Sequence, residues 1–158
     1  MIRLISWLKP YSKYYLVAWV VIILTLSSIP SLPTLKIEAR GSVIRLDYLI
    51  HLCEYGSLTF LAYLTYVDSH FTMSLRKYSI ITAGLVLFAV LDEFHQKFIP
   101  GRSFNVKDIY SNITGIIAAL GFCVIYFRVI GKRFTGHIWL IVKDPIVLHK
   151  RDPGWQSC

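Results

Sequence analysis

Residues 109–127 read IYSNITGIIAALGFCVIYF, nineteen consecutive positions without a charge. As a helix this stretch rises about 28 Å, close to the ~30 Å hydrocarbon core of a bilayer. Working outward, three more segments have a similar character. Tyr78 to about Phe98 is apolar until Asp92-Glu93-Phe94-His95-Gln96, and Leu46 to Val67 is apolar apart from Asp47, His51 and Glu54. Tyr14 to Ile29 is uncharged, follows Arg3, Lys9 and Lys13, and is closed by Pro30 and Pro33, which cannot continue a helix. Ser27-Ser28-Ile29-Pro30 makes a poor signal-peptidase site, so this first segment is expected to stay as an uncleaved helix. The connections are short, at residues 30–45, 68–77 and 99–107. These features predict an all-α polytopic membrane protein, a four-transmembrane-helix bundle over residues 1–131. In the remaining tail, 132–158, the apolar run from His137 to Val142 is too short to span, which predicts a cytoplasmic or surface-lying segment.

Composition agrees. The chain of 158 residues is 55% hydrophobic and 16% charged, against roughly 25% charged in soluble domains. A domain this small has too much surface to hide so much apolar mass from water. The net charge of +8 is spread over loops and tails flanking the apolar runs, as expected for anchors on anionic headgroups rather than for a nucleic-acid face. Cys53, Cys123 and Cys158 are unclustered, so neither a disulfide framework nor a zinc site is implied.

Lys and Arg counts in the loops set the orientation. With both termini inside, the inner set is Arg3, Lys9, Lys13, Arg76, Lys77, Arg128, Lys132 and Arg133, to which the tail adds Lys143, Lys150 and Arg151. The outer set is the smaller one: Lys36, Arg40, Arg45, Lys97, Arg102 and Lys107. Cytoplasmic termini follow. Whatever the orientation, the second segment begins on the side where the third ends and the fourth begins. Asp47, His51 and Glu54, then Asp92, Glu93 and Gln96, then Asp108 and Asn112 therefore share one end of the bundle. Helical spacing arranges them as stripes: 47, 51 and 54 on one face, 108, 112 and Gly115 on another, and Asp92 with Glu93 each within a turn of Gln96. His95 is turned away from the Asp92–Gln96 pair by about a quarter turn. Three stripes facing one another predict a polar cavity, with Arg102 over its mouth where Pro100-Gly101 turns the chain.

The run Asp92-Glu93, Gln96, Pro100-Gly101-Arg102, Asp108, Asn112 and Gly115 resembles the VanZ-like family of small bacterial membrane proteins. An early second-helix stripe of Asp47, His51, Glu54 and Tyr55 fits the same pattern. The resemblance covers roughly residues 10–130. It implies a bacterial cytoplasmic membrane location and, through the member that gave the family its name, a link to glycopeptide (teicoplanin) resistance. It implies no particular reaction. One departure is Asn105, where family members often carry Asp.

Two functional readings and a structural one meet at this end. As a binding or modulating site for an envelope component, Arg102, Lys97 and Lys107 suit an anionic headgroup, while the acids and Gln96 suit a hydroxyl-rich, amide-rich or cationic portion. Membrane lipids, and an anionic lipid-linked cell-wall precursor among them, are the partners this predicts. As an intramembrane enzyme, paired carboxylates and His51 with Glu54 offer acid–base chemistry on a lipid-linked substrate. His51, Glu54 and an acid of the third segment offer an alternative, metal-dependent form of that enzyme, although the spacing matches no established metal motif; no nucleophile elbow is present, and neither a metal site nor a cofactor is assigned. The third reading is a polar network that holds the helices together. A transporter is disfavoured by four helices without an inverted repeat.

Overall fold

The computed structural model describes residue 5 and residues 7–30, 36–39 and 42–143, with the backbone alone at 36–39, 42–45, 130 and 132–143. A short 3₁₀ turn, Lys9–Tyr11, leads into α1, Ser12–Ser28. A two-stranded antiparallel ribbon follows, β1 Lys36–Ala39 paired with β2 Ser42–Arg45, in a connection with no strand expected from the sequence. Then come α2, Leu46–Tyr66, α3, Leu75–Gln96, and α4, Val106–Lys143. Among the described residues, the protein is all-α apart from this ribbon.

Three of the helical stretches, Lys9–Ser28, Leu75–Gln96 and Val106–Val129, are long and apolar enough to cross a membrane. The fourth, α2, has 21 residues, about 31 Å of helix, and spends its first turns on Asp47, His51 and Glu54. It is long enough to cross, and its most extensive contact is with α4. Together they form a four-helix membrane bundle. α4 does not stop at residue 131 but runs on to Lys143. The tail read from residue 132 thus begins as helix, and 144–158 lie outside the described residues.

Local chemistry sets the turns. Ser74 caps α3, accepting from the Lys77 N–H at 3.4 Å, and Asn105 caps α4, accepting from the Lys107 N–H at 3.1 Å. The Arg102 N–H bonds to the Ile99 carbonyl at 3.1 Å across Pro100-Gly101. Gly101 has φ 76°, the left-handed position that a type II turn with proline ahead of it requires. At the opposite end, Lys9 Nζ donates to the Val67 and Asp68 carbonyls at 2.5 and 2.8 Å, a cation set on the negative end of α2.

The interior is layered along the bundle axis. The end bearing Lys9 is filled by Tyr63, Leu64, Val67, Phe71, Tyr78, Cys123 and Phe127. The middle is filled by Ile23, Tyr55, Leu58, Ala62, Leu85, Ala89 and Ile116. Above that layer the apolar core stops, and Asp92, Glu93, Gln96, Asp108 and Asn112 are buried instead. Val17, Val21, Ile80, Leu87, Ile117 and Ile125 face outward, as lipid-facing positions should.

Candidate polar site at one end of the bundle

The last turns of α3 carry most of the site. Asp92 and Gln96 are each 3% exposed and Glu93 is fully buried, while Phe94 and His95 on the same turns are exposed. Asp92 Oδ2 accepts from the Tyr55 hydroxyl at 3.0 Å, tying α3 to α2. Glu93 Oε1 accepts from the Asn105 N–H at 2.7 Å, which ties α3 to the start of α4. Gln96 Oε1 accepts from Arg102 Nη1 at 3.2 Å.

Arg102, expected over the mouth of a cavity, lies against the end of α1. Its Nε donates to the Ile29 carbonyl at 3.2 Å and its Nη2 to the Leu26 carbonyl at 2.7 Å. The carbonyls at a helix C-terminus lack intrahelical partners and carry the negative end of the helix dipole. A planar guanidinium is suited to satisfying two of them and an amide oxygen together. The loop arginine thus clasps α1 to the α3–α4 turn.

On α4, Asp108 is 8% exposed and Asn112 is fully buried. His51 stands between two acids: its Nε2 is 3.9 Å from Asp108 Oδ2 and its Nδ1 is 3.8 Å from Glu54 Oε2. Both separations exceed hydrogen-bond reach, and His51 pairs ionically with either acid only when its imidazole is protonated. Asp47, at the first turn of α2, is half-buried and within electrostatic reach of His51. Asp92 likewise lies within electrostatic reach of Glu54 and Glu93.

One regularity runs through the cluster. Asp92, Glu93 and Gln96 each spend one polar atom on the fold and leave the other without a partner: Asp92 Oδ1, Glu93 Oε2 and Gln96 Nε2. Asp108 Oδ1 and both side-chain polar atoms of Asn112 are also buried without a partner among the described residues. A buried polar group left in that condition costs about 1–3 kcal/mol, so a purely structural network would not be expected to keep so many. Most of these atoms are acceptors, and a complementary group would bring donors. Among the described residues, no three His, Cys, Asp or Glu side chains are grouped so as to hold a metal ion.

Gly115 explains how the α2 and α4 stripes come so close. A Cβ there would lie 2.3 Å from the Leu52 carbonyl oxygen and 3.1 Å from the Gly56 nitrogen, so only glycine permits this crossing. Sequence reasoning missed the Trp19 indole, which donates to the Glu54 carbonyl at 3.0 Å; one Trp among many apolar residues carries no signal of such a contact. It also undervalued Tyr55, whose ring is fully buried and whose hydroxyl alone reaches the acids. At Asn105 the departure from Asp has a local explanation, since either side chain can cap α4.

A four-helix membrane bundle with a buried acidic cluster at one end is the class these features define. The family model described as VanZ/LLP1 matches residues 13–128, and the chain belongs to that family. The match takes in nearly all of the membrane-crossing part of the four helices and every residue of the cluster. No curated protein and no solved structure matches the chain.

Proposed function

We propose that the polar end binds an envelope component through hydrogen-bond donors that meet Asp92, Glu93, Asp108 and Asn112. The observation that carries this is the set of buried atoms with no partner among the described residues. Charged and amide groups at membrane depth are costly and mark sites of function more often than mere packing. With Arg102 committed to α1, the exposed Lys97 and Lys107 are left to meet an anionic portion of the ligand. An anionic lipid-linked cell-wall precursor, rich in hydroxyl and amide groups, combines the two chemistries. Lys and Arg asymmetry supports cytoplasmic termini, and with them a site facing the outer side of a bacterial cytoplasmic membrane. A role in glycopeptide (teicoplanin) resistance rests on the family alone.

A second reading is acid–base catalysis on such a lipid, favoured by His51 lying between Glu54 and Asp108. The test that separates the readings is native mass spectrometry with lipidomics on the purified protein, repeated for Asn112→Leu, Asp92→Asn and Glu54→Gln. Asn112→Leu removes two unpartnered atoms at similar volume. It should leave thermal stability equal or higher while releasing the co-purifying lipid. Retention of the same lipid by all three variants would refute the binding site. Turnover of the lipid, lost in His51→Ala, would promote catalysis over binding.

A further inference from the structure

Away from the polar end, α1, α2 and α3 do not close on one another. Between them lies an apolar groove of about 540 Å³, lined by Leu16 and Val20 of α1, Leu58 and Ala62 of α2, and Leu85 and Phe88 of α3. Its single charged lining residue is Lys77. From Lys77 to Phe88 the groove follows α3 for about 16 Å, half the ~30 Å hydrocarbon thickness and so the depth of one leaflet. At mid-depth it ends on Phe88, whose ring packs against Tyr55 with centroids 6.1 Å apart. Tyr55 and Phe88 thereby separate it from the acids above.

The two ends of the bundle also differ in charge. Among the described side chains, Asp47, Glu54, Asp92, Glu93 and Asp108 are all at the polar end. At the groove's open end Lys9, Lys13, Arg76, Lys77 and Arg128 face one acid, Asp68. That carboxylate is occupied by the Thr72 hydroxyl and by the His70 and Thr72 backbone N–H groups. A hydrocarbon chain gains contact along such a groove that a flat helix surface does not offer, and the ammonium at its end favours an anionic headgroup.

We propose that this groove holds one acyl chain of an anionic glycerophospholipid from the leaflet at the N-terminal end of α3, with the phosphate on Lys77. The site is separate from the polar cluster and independent of its function. Gly84 provides the means of testing it. It lines the groove, and a Cβ there meets nothing within 4 Å. Gly121, on α4 and outside the groove lining, is equally open.

The protein would be reconstituted in nanodiscs of equimolar phosphatidylglycerol and phosphatidylcholine and released for native mass spectrometry. Wild type and Gly121→Leu should each retain one phosphatidylglycerol per chain. Gly84→Leu should lower retention roughly tenfold. Lys77→Gln should keep a lipid but lose the preference for phosphatidylglycerol. As a measurement that depends on no variant, phosphatidylglycerol bearing a photoreactive acyl chain should crosslink to α3 between Lys77 and Phe88 in the wild type. Unchanged retention in Gly84→Leu, equal retention of both lipids by wild type, or crosslinks spread evenly around the bundle would each overturn the proposal.

Discussion

Replacing Gly115 by alanine adds one methyl group where two helix backbones meet, and the structure gives the consequence a size. The new Cβ would sit 2.3 Å from the Leu52 carbonyl oxygen. It needs about 1 Å more to reach ordinary contact distance. The obstacle is backbone, so no rotamer change relieves it and the helices must separate. Overpacking of this kind costs about 1–3 kcal/mol, and the better helix propensity of alanine returns up to about 1 kcal/mol. A net loss of about 1–2 kcal/mol lowers the melting temperature of a chain this size by about 2–8 °C. His51, next to Leu52, should move away from Asp108 as α2 retreats, so ligand retention should fall as well. Thermal unfolding in a mild detergent at a fixed scan rate measures the first effect. Two other glycines serve as controls. A Cβ at Gly56 approaches nothing nearer than the Gly115 carbonyl at 3.6 Å, and one at Gly121 meets nothing within 4 Å. Gly56→Ala and Gly121→Ala should therefore be neutral or slightly stabilising. Equal melting temperatures for all three variants would refute the claim that Gly115 sets the α2–α4 approach.

Two further outcomes are expected. Tyr55→Phe removes the hydroxyl that serves Asp92 Oδ2 and should cost about 1 kcal/mol, the usual scale of interhelical hydrogen bonds in membranes, read as a small fall in melting temperature. Arg102→Lys keeps the charge but cannot match the fork that holds Leu26, Ile29 and Gln96. Hydrogen exchange at the amides closing α1 should accelerate roughly tenfold, while a surface lysine control such as Lys107→Gln leaves it unchanged.

The sequence carried the fold because hydrophobic length is a coarse signal that survives any detail of packing. It carried the shared end as well, since hairpin topology requires that residues 47–54, 92–96 and 108–112 meet whatever their side chains do. Long-range and backbone-directed contacts were not legible. Arg102 reads as a free cation in its loop, and only the folded chain brings it to carbonyls 73 and 76 positions away. The 3₁₀ and ribbon segments lack a strong periodic pattern. α4 outran its apolar stretch because a helix is not obliged to stop where hydrophobicity does.

The division of labour within the acids bears on how the site should be probed. Asp92 and Glu93 each hold two helices together with one oxygen, so truncating either to alanine removes fold and site at once. Loss of activity in such a variant would carry no information about binding. Asn112 differs, because neither of its polar atoms is engaged by the described residues and its removal leaves no donor or acceptor among them bereft. A leucine there replaces a polar pair whose burial is unfavourable with apolar volume that is favourable. If the cluster were glue alone, Asn112→Leu would be more stable and functionally silent. A variant that gains stability and loses its lipid would tie the unfavourable burial of Asn112 to binding, a separation that no substitution at Asp92 or Glu93 can provide.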